Sequence, residues 1–163
     1  KKVYFPRLIV PIAAALAPLV DFAIAFVMLL SMMVWFGIPP TWGLLALPLF
    51  LLLALMTALA VSFFLSALNV KYRDVRHTIP FLVQFWMYAS PVAYPVSLVP
   101  EKWRHLYGLN PMVGVIDGFR WALLGKVRPD FGLMAVSTAV VLALLLGGIV
   151  YFKRMERTFA DVI

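Results

Sequence analysis

The stretch FVMLLSMMVWFGIPPTWGLLALPLFLLLAL, residues 26–55, is one apolar run interrupted at Gly37, Pro39 and Pro40. Proline removes a backbone donor and glycine admits a turn, so one helix stops here and another starts. Trp35 and Trp42 flank the break, where aromatic rings sit at a membrane–water interface. Working outward, Asp21 is the only formal charge between Leu8 and Val70. About 20 apolar residues cross a bilayer. The run therefore predicts an antiparallel pair of membrane helices over 8–36 and 41–68.

The whole chain agrees with that class. Of its 163 residues, 64% are hydrophobic and 13% charged. Soluble domains lie near half apolar and about a quarter charged. Cysteine is absent, which excludes disulfides, thiolate chemistry and Cys-ligated metals. The net charge of +7 could suit nucleic acid in a soluble protein. Here the basic residues gather at the ends of apolar spans, where they set topology, so no nucleic-acid partner is expected. The first residue is Lys1 and no cleavable signal is visible, so the chain is expected to be processed or part of something longer.

Two more spans are expected, over 72–90 and 131–152, followed by a basic amphipathic tail over 153–163. Lys1, Lys2, Arg7, Lys71, Arg73, Arg76, Lys153, Arg154 and Arg157 fall on one side of this arrangement. The short turn opposite has no basic residue, and the long outer segment has Lys102, Arg104, Arg120, Lys126 and Arg128. The first side is therefore cytoplasmic, with both ends of the chain on it.

Between the last two spans the pattern fails. Pro91, Pro95, Pro100 and Pro111 punctuate a segment rich in rings and charges. Pro91 disfavours helical geometry at Ser90 and ends the third helix. Pro100 and Glu101 suit a helix start, and Gly108 suits its stop. Asn110 and Pro111 form an N-cap and first helical residue, and Gly125 closes that helix. Two short helices, 100–107 and 111–124, follow from these signals. They are too short to cross, so the segment 95–125 reads as a re-entrant helical hairpin or as an amphipathic outer loop. The fold class is then an all-α integral membrane protein, a single transmembrane domain of four spans with a re-entrant hairpin before the last.

The sequence holds no G-x-x-x-x-G-K-[ST] loop, no HExxH and no paired carboxylates on one helical face, and no metal site is expected. Asp21, deep in the first span, is either a polar lining group of a conduit or a partner in an interhelical hydrogen bond, or it is protonated. Small residues at spacing four suggest packing faces: Ala13, Ala17 and Ala25 with Asp21; Ala54, Ala58, Ser62 and Ser66; Ala139, Ala143 and Gly147. Trp86, Tyr88, Tyr94, Trp103 and Tyr107 are interfacial rings or, with their apolar faces and polar tips, rings that suit sugars.

Four stretches resemble one family: KVYFPRLIVP, LNVKYRDVRHTIPFLVQFWMYASPVAYPVSLVPEKWR, LNPMVGVIDGFRWALLG and YFKRMERTFADVI. They are similar to the permease subunit of bacterial ABC transporters that export polysaccharide, of the O-antigen and teichoic-acid type. The resemblance implies a six-helix permease of which this chain is the last four helices. It implies a homodimer in the bacterial inner membrane, surrounded by membrane lipid, moving a lipid-linked polysaccharide through a conduit. ATP and Mg would be held by a separate ATPase subunit, with no cofactor and no catalytic residue on this chain.

The resemblance and the residues themselves together give the expected sites. Tyr4, Arg7, Lys71, Arg73, Asp74 and Arg76 would couple to the ATPase. Asp21, Trp86, Tyr88 and Tyr94 would line the conduit. Pro91, Pro95, Trp103, Tyr107, Asn110 and Pro111 would form an outer gate. The rival readings are an ABC-type permease for small amphiphiles or drugs, and a membrane-embedded enzyme acting on lipid-linked sugars.

Overall fold

The computed structural model describes residues 9–39, 41–72, 74–125 and 130–159. All regular structure among them is helical. The chain forms two compact units, divided between Pro39 and Pro40.

The first unit holds α1 (Ile9–Leu16) and α2 (Pro18–Trp35). The sequence predicts one helix here, and the structure breaks it at Ala17. Pro18 causes the break: it has no N–H to donate, and it serves as a first helical residue instead. α2 ends in a left-handed turn at Gly37, whose φ is 66°. The Ile38 N–H donates to the Met33 carbonyl at 2.9 Å and the Gly37 N–H to Val34 at 3.1 Å. This paired closure satisfies carbonyls that a helix end would leave orphaned.

The second unit opens with a tight helical turn, Trp42–Ala46, leading into α3 (Leu47–Lys71). α4 (Val75–Ala89), α5 (Glu101–Tyr107), α6 (Pro111–Leu124) and α7 (Phe131–Phe159) follow. Three stretches are long and apolar enough to cross a membrane: Ile12–Trp35, Trp42–Asn69 and Phe131–Met155.

α4 is not among them. It starts at Val75 instead of residue 72, because Tyr72 is extended, with φ −127° and ψ 97°. Its 15 residues make a rod of about 22 Å at 1.5 Å per residue, against a hydrocarbon layer of about 30 Å. The helix of the last span does not stop at residue 152. The helix runs on to Phe159, carrying the start of the basic tail as continuous α-helix.

The core of the second unit lies between α3, α6 and α7. Phe50, Thr57, Ala60, Phe63 and Ala67 form the buried stripe of α3. Val113 and Ala122 of α6, and Leu133, Ser137, Val141 and Phe152 of α7, complete the core. The predicted small-residue faces are therefore displaced. Ala139 and Ala143 are exposed, and Gly148, not Gly147, is the buried glycine of α7. A Cβ added at Gly148 would meet the Ala60 carbonyl oxygen at 3.0 Å, so the two backbones approach closely there.

Candidate functional site

α4 ends where the prolines begin, and a helix end leaves its last carbonyls without intrahelical partners. Ser90 is extended and Pro91 is buried. The donors that answer these carbonyls come from elsewhere in the chain. The Tyr94 hydroxyl donates to the Tyr88 carbonyl at 3.2 Å. Asn110 Nδ2 donates to the Ala89 carbonyl at 3.1 Å and to Ser90 Oγ at 3.0 Å. Arg120 Nη2 donates to the carbonyls of Pro91 at 2.9 Å and Val92 at 3.4 Å, and Nη1 to Tyr94 at 3.3 Å. The last carbonyls of α4 are thus capped by Tyr94 and Asn110, and Arg120 holds the non-helical turn that follows, at Pro91, Val92 and Tyr94.

Asn110 is the centre of this arrangement. Its Oδ1 accepts from the Met112 N–H at 3.0 Å, capping α6, and from Trp86 Nε1 at 3.1 Å. With the two bonds from Nδ2, one amide joins the start of α6 to two turns of α4. Tyr94 and Tyr107 meet hydroxyl to hydroxyl beside it. Burial, then the hydrogen bond to Tyr94, pushes the Tyr107 phenol upward, so it stays neutral. Tyr107 packs on the buried Val96, Val113 and Leu133.

α6 is held from behind. Thr41 Oγ1 donates to the Ala122 carbonyl at 2.7 Å, and Ser137 Oγ donates to the Gly108 carbonyl at 3.1 Å. Gly118 faces the Phe50 ring so closely that a Cβ there would run into it. At Gly114 an added Cβ would lie 2.7 Å from Ser137 Cβ. Gly125, with φ 61°, stops the helix in the left-handed conformation that glycine tolerates. Asp130 Oδ1 then accepts the Leu133 N–H at 3.1 Å and starts α7.

Cavities among the described residues border the hairpin. One, of about 520 Å³, lies between α3, α4 and α6; Ala58, Val61, Val83, Trp86 and Ile116 are among its walls. Another, of about 230 Å³, is lined by Pro95, Val96, Ser97, Asp117, Arg120, Trp121 and Leu124. Asp117 is half-buried there, and burial raises its carboxyl above the usual range, with Arg120 opposing and Asp130 assisting.

The predicted residues divide clearly. Trp86, Tyr94, Tyr107, Asn110, Pro91 and Pro111 come together at the capped break. Tyr88 contributes its carbonyl while its ring is exposed. Pro95 lines the smaller cavity. Trp103 is exposed, with the Lys102 ammonium 5.8 Å from its ring centre. Asp21 stands in the first turn of α2, exposed, in the first unit. Asp74 occupies the α4 N-cap position without a side-chain cap bond, and Arg76 is exposed. Lys71 ends α3. Tyr4, Arg7 and Arg73 lie outside the described residues. Among the described residues no group of three potential metal ligands occurs.

Arg120, Ser90, Asp117 and Ser137 were not among the expected site residues. Arg120 was available as a signal: a lone guanidinium inside the apolar run IDGFRWALL needs a partner, and a proline break upstream leaves carbonyls in need of donors.

Apolar helices long enough to cross a membrane, with a polar-capped break between shorter ones, point to a multi-pass membrane protein. Residues 4–124 match the family described as ABC-2 type transporter, and the chain belongs to that family. It is 29% identical over 164 residues to the O-antigen export system permease protein RfbA of Myxococcus xanthus. It is 22% identical over 168 residues to a protein of that name from Klebsiella pneumoniae, and 21% identical to another. The alignments cover 99% of this chain in the first case and 100% in the others, and 63% of each relative. The chain therefore spans under two thirds of the length of these relatives.

Proposed function

We propose that this chain is membrane-spanning machinery of an ATP-driven exporter of lipid-linked polysaccharide, of the O-antigen or teichoic-acid type, in a bacterial inner membrane. ATP is hydrolysed on a separate ABC ATPase subunit, and a second copy of the permease completes the conduit. The observation that carries this reading is the trans-capped end of α4, within a chain whose named relatives are O-antigen permeases. Non-helical backbone at membrane depth needs its polar groups satisfied by protein. The Asn110 and Arg120 bonds supply that condition, which supports α5–α6 as a re-entrant outer hairpin and α4 with its capped turn as a fourth crossing element. Distribution of the basic residues supports cytoplasmic ends. The loop after α3 and the start of α4, with Asp74 and Arg76, are then a cytoplasmic contact for the ATPase.

Mechanism on this reading is mechanical, with no covalent step on the chain. Closure of the ATPases moves the cytoplasmic loops, and the capped hairpin controls the outer end of the conduit. The α4 residues 81–88 are exposed within the second unit. An apolar helix of that kind needs protein or lipid around it, in keeping with a neighbouring permease copy. The test is ATP hydrolysis by the purified permease–ATPase complex in lipid. Stimulation by a lipid-linked polysaccharide is expected. Stimulation by small amphiphiles alone would transfer the assignment to a drug-type permease.

A further inference from the structure

The cavity beside the hairpin is built differently from the rest of the apolar surface. Its wall carries a carboxylate, Asp117, and an indole, Trp121, one helical turn apart on the same face of α6. No described residue donates a hydrogen bond to Asp117, and its carboxyl is half-buried. Its neighbour Arg120 is committed elsewhere, to the carbonyls of Pro91, Val92 and Tyr94. A partly desolvated acceptor therefore faces a space of about 230 Å³. That space is large enough for several waters or one sugar ring.

The geometry points to a subsite for a single sugar unit at the outer end of the conduit, formed by Asp117, Trp121 and Ser97. Asp117 accepts from adjacent ring hydroxyls, Trp121 lies against the apolar C–H face, and Ser97 adds a hydroxyl. This rests on the polysaccharide reading above and deepens it. A sugar fits better than a lipid ammonium group, because the Arg120 guanidinium lines the same cavity and repels cations, and a single indole does not enclose one. A carboxylate to which no described residue donates costs free energy when desolvated, so sugar hydroxyls that donate to it gain charge-assisted hydrogen bonds.

The test is saturation-transfer NMR on the permease–ATPase complex. The probe is an oligosaccharide released by mild acid from the surface polysaccharide of the same cells, and choline is the competing probe. Transfer to sugar ring protons is expected from the wild type. It should weaken about tenfold in Asp117→Asn and in Trp121→Leu, and be unchanged in Leu146→Ala, an exposed position on α7. Trp121→Phe, which keeps a ring at the Phe50 contact, should retain a partial signal if packing is preserved. Absence of transfer from the wild type, transfer indifferent to Asp117→Asn, or displacement by choline overturns the subsite. Export of the polysaccharide by the same wild-type complex is measured in parallel. Intact export with any of those results removes the subsite alone, whereas absent export removes the polysaccharide reading.

Discussion

Arg120 Nη2 lies 2.9 Å from the carbonyl oxygen of Pro91, 29 residues earlier in the chain. That bond makes the proline break a joint and not a loose end, because the guanidinium also holds the next turn at Val92 and Tyr94. Replacing Arg120 with Gln should lower stability by about 2 kcal/mol, the scale of hydrogen bonds to a charged group. Lys should recover little, since an ammonium lacks the planar fork that reaches several carbonyls. Hydrogen exchange in detergent should show faster exchange at Val92 and across the last turn of α4 in both variants. Unchanged protection there would remove the capping role.

Asn110 separates two functions that share one amide. Asn110→Asp keeps an acceptor for the Met112 N–H but loses the donors to Ala89 and Ser90. Protection at the start of α6 should survive in the Asp variant and be lost in Asn110→Ala, with a capping cost of about 1 kcal/mol. The end of α4 should loosen in both. Equal behaviour of the two variants at the start of α6 would contradict this division.

Much of this hairpin was legible in residue types. Asn110–Pro111 marks a helix start, Gly125 a stop, and Pro91 the end of α4, because each acts through local backbone chemistry. The break at Ala17 was equally local, yet the hydrophobicity of residues 8–36 masked Pro18. The trans cap was not legible, since it joins residues 20 to 29 positions apart. Nor was the buried face of α3: nearly all its residues are apolar, so periodicity could not separate Phe50 and Ala60 from Ala54 and Ala58.

The contact between Gly118 and Phe50 fixes how close α6 can come to α3. Gly118→Ala should destabilise by roughly 1–3 kcal/mol through overpacking. Phe50→Leu in the same chain should recover part of that loss, and a double-mutant cycle measures the coupling. Additive losses would mean that the two sites relax independently.

Asp117 makes stability depend on pH. Its carboxyl is raised in the folded protein, chiefly by burial, so folding favours the protonated form. The resulting penalty is absent below the unfolded carboxyl value of about 3.9. It grows as pH rises through the folded value and is complete above it. Asn at this position should therefore stabilise the protein at neutral pH and give no advantage in acid. Unfolding of the two proteins compared across pH checks this, and a constant difference would contradict it.

Export in cells is the most direct test of the capped hairpin's role. Surface polysaccharide is pulse-labelled in a strain lacking its permease, complemented with the wild-type permease or with the Asn110→Ala, Arg120→Gln double variant. Each is expressed with its ATPase, and assembly is checked by co-purification. The predicted result is labelled polymer at the surface with the wild type, and at least about a tenfold loss with the assembled double variant. Failure of the wild type to restore export, or full export by the assembled double variant, would contradict the account.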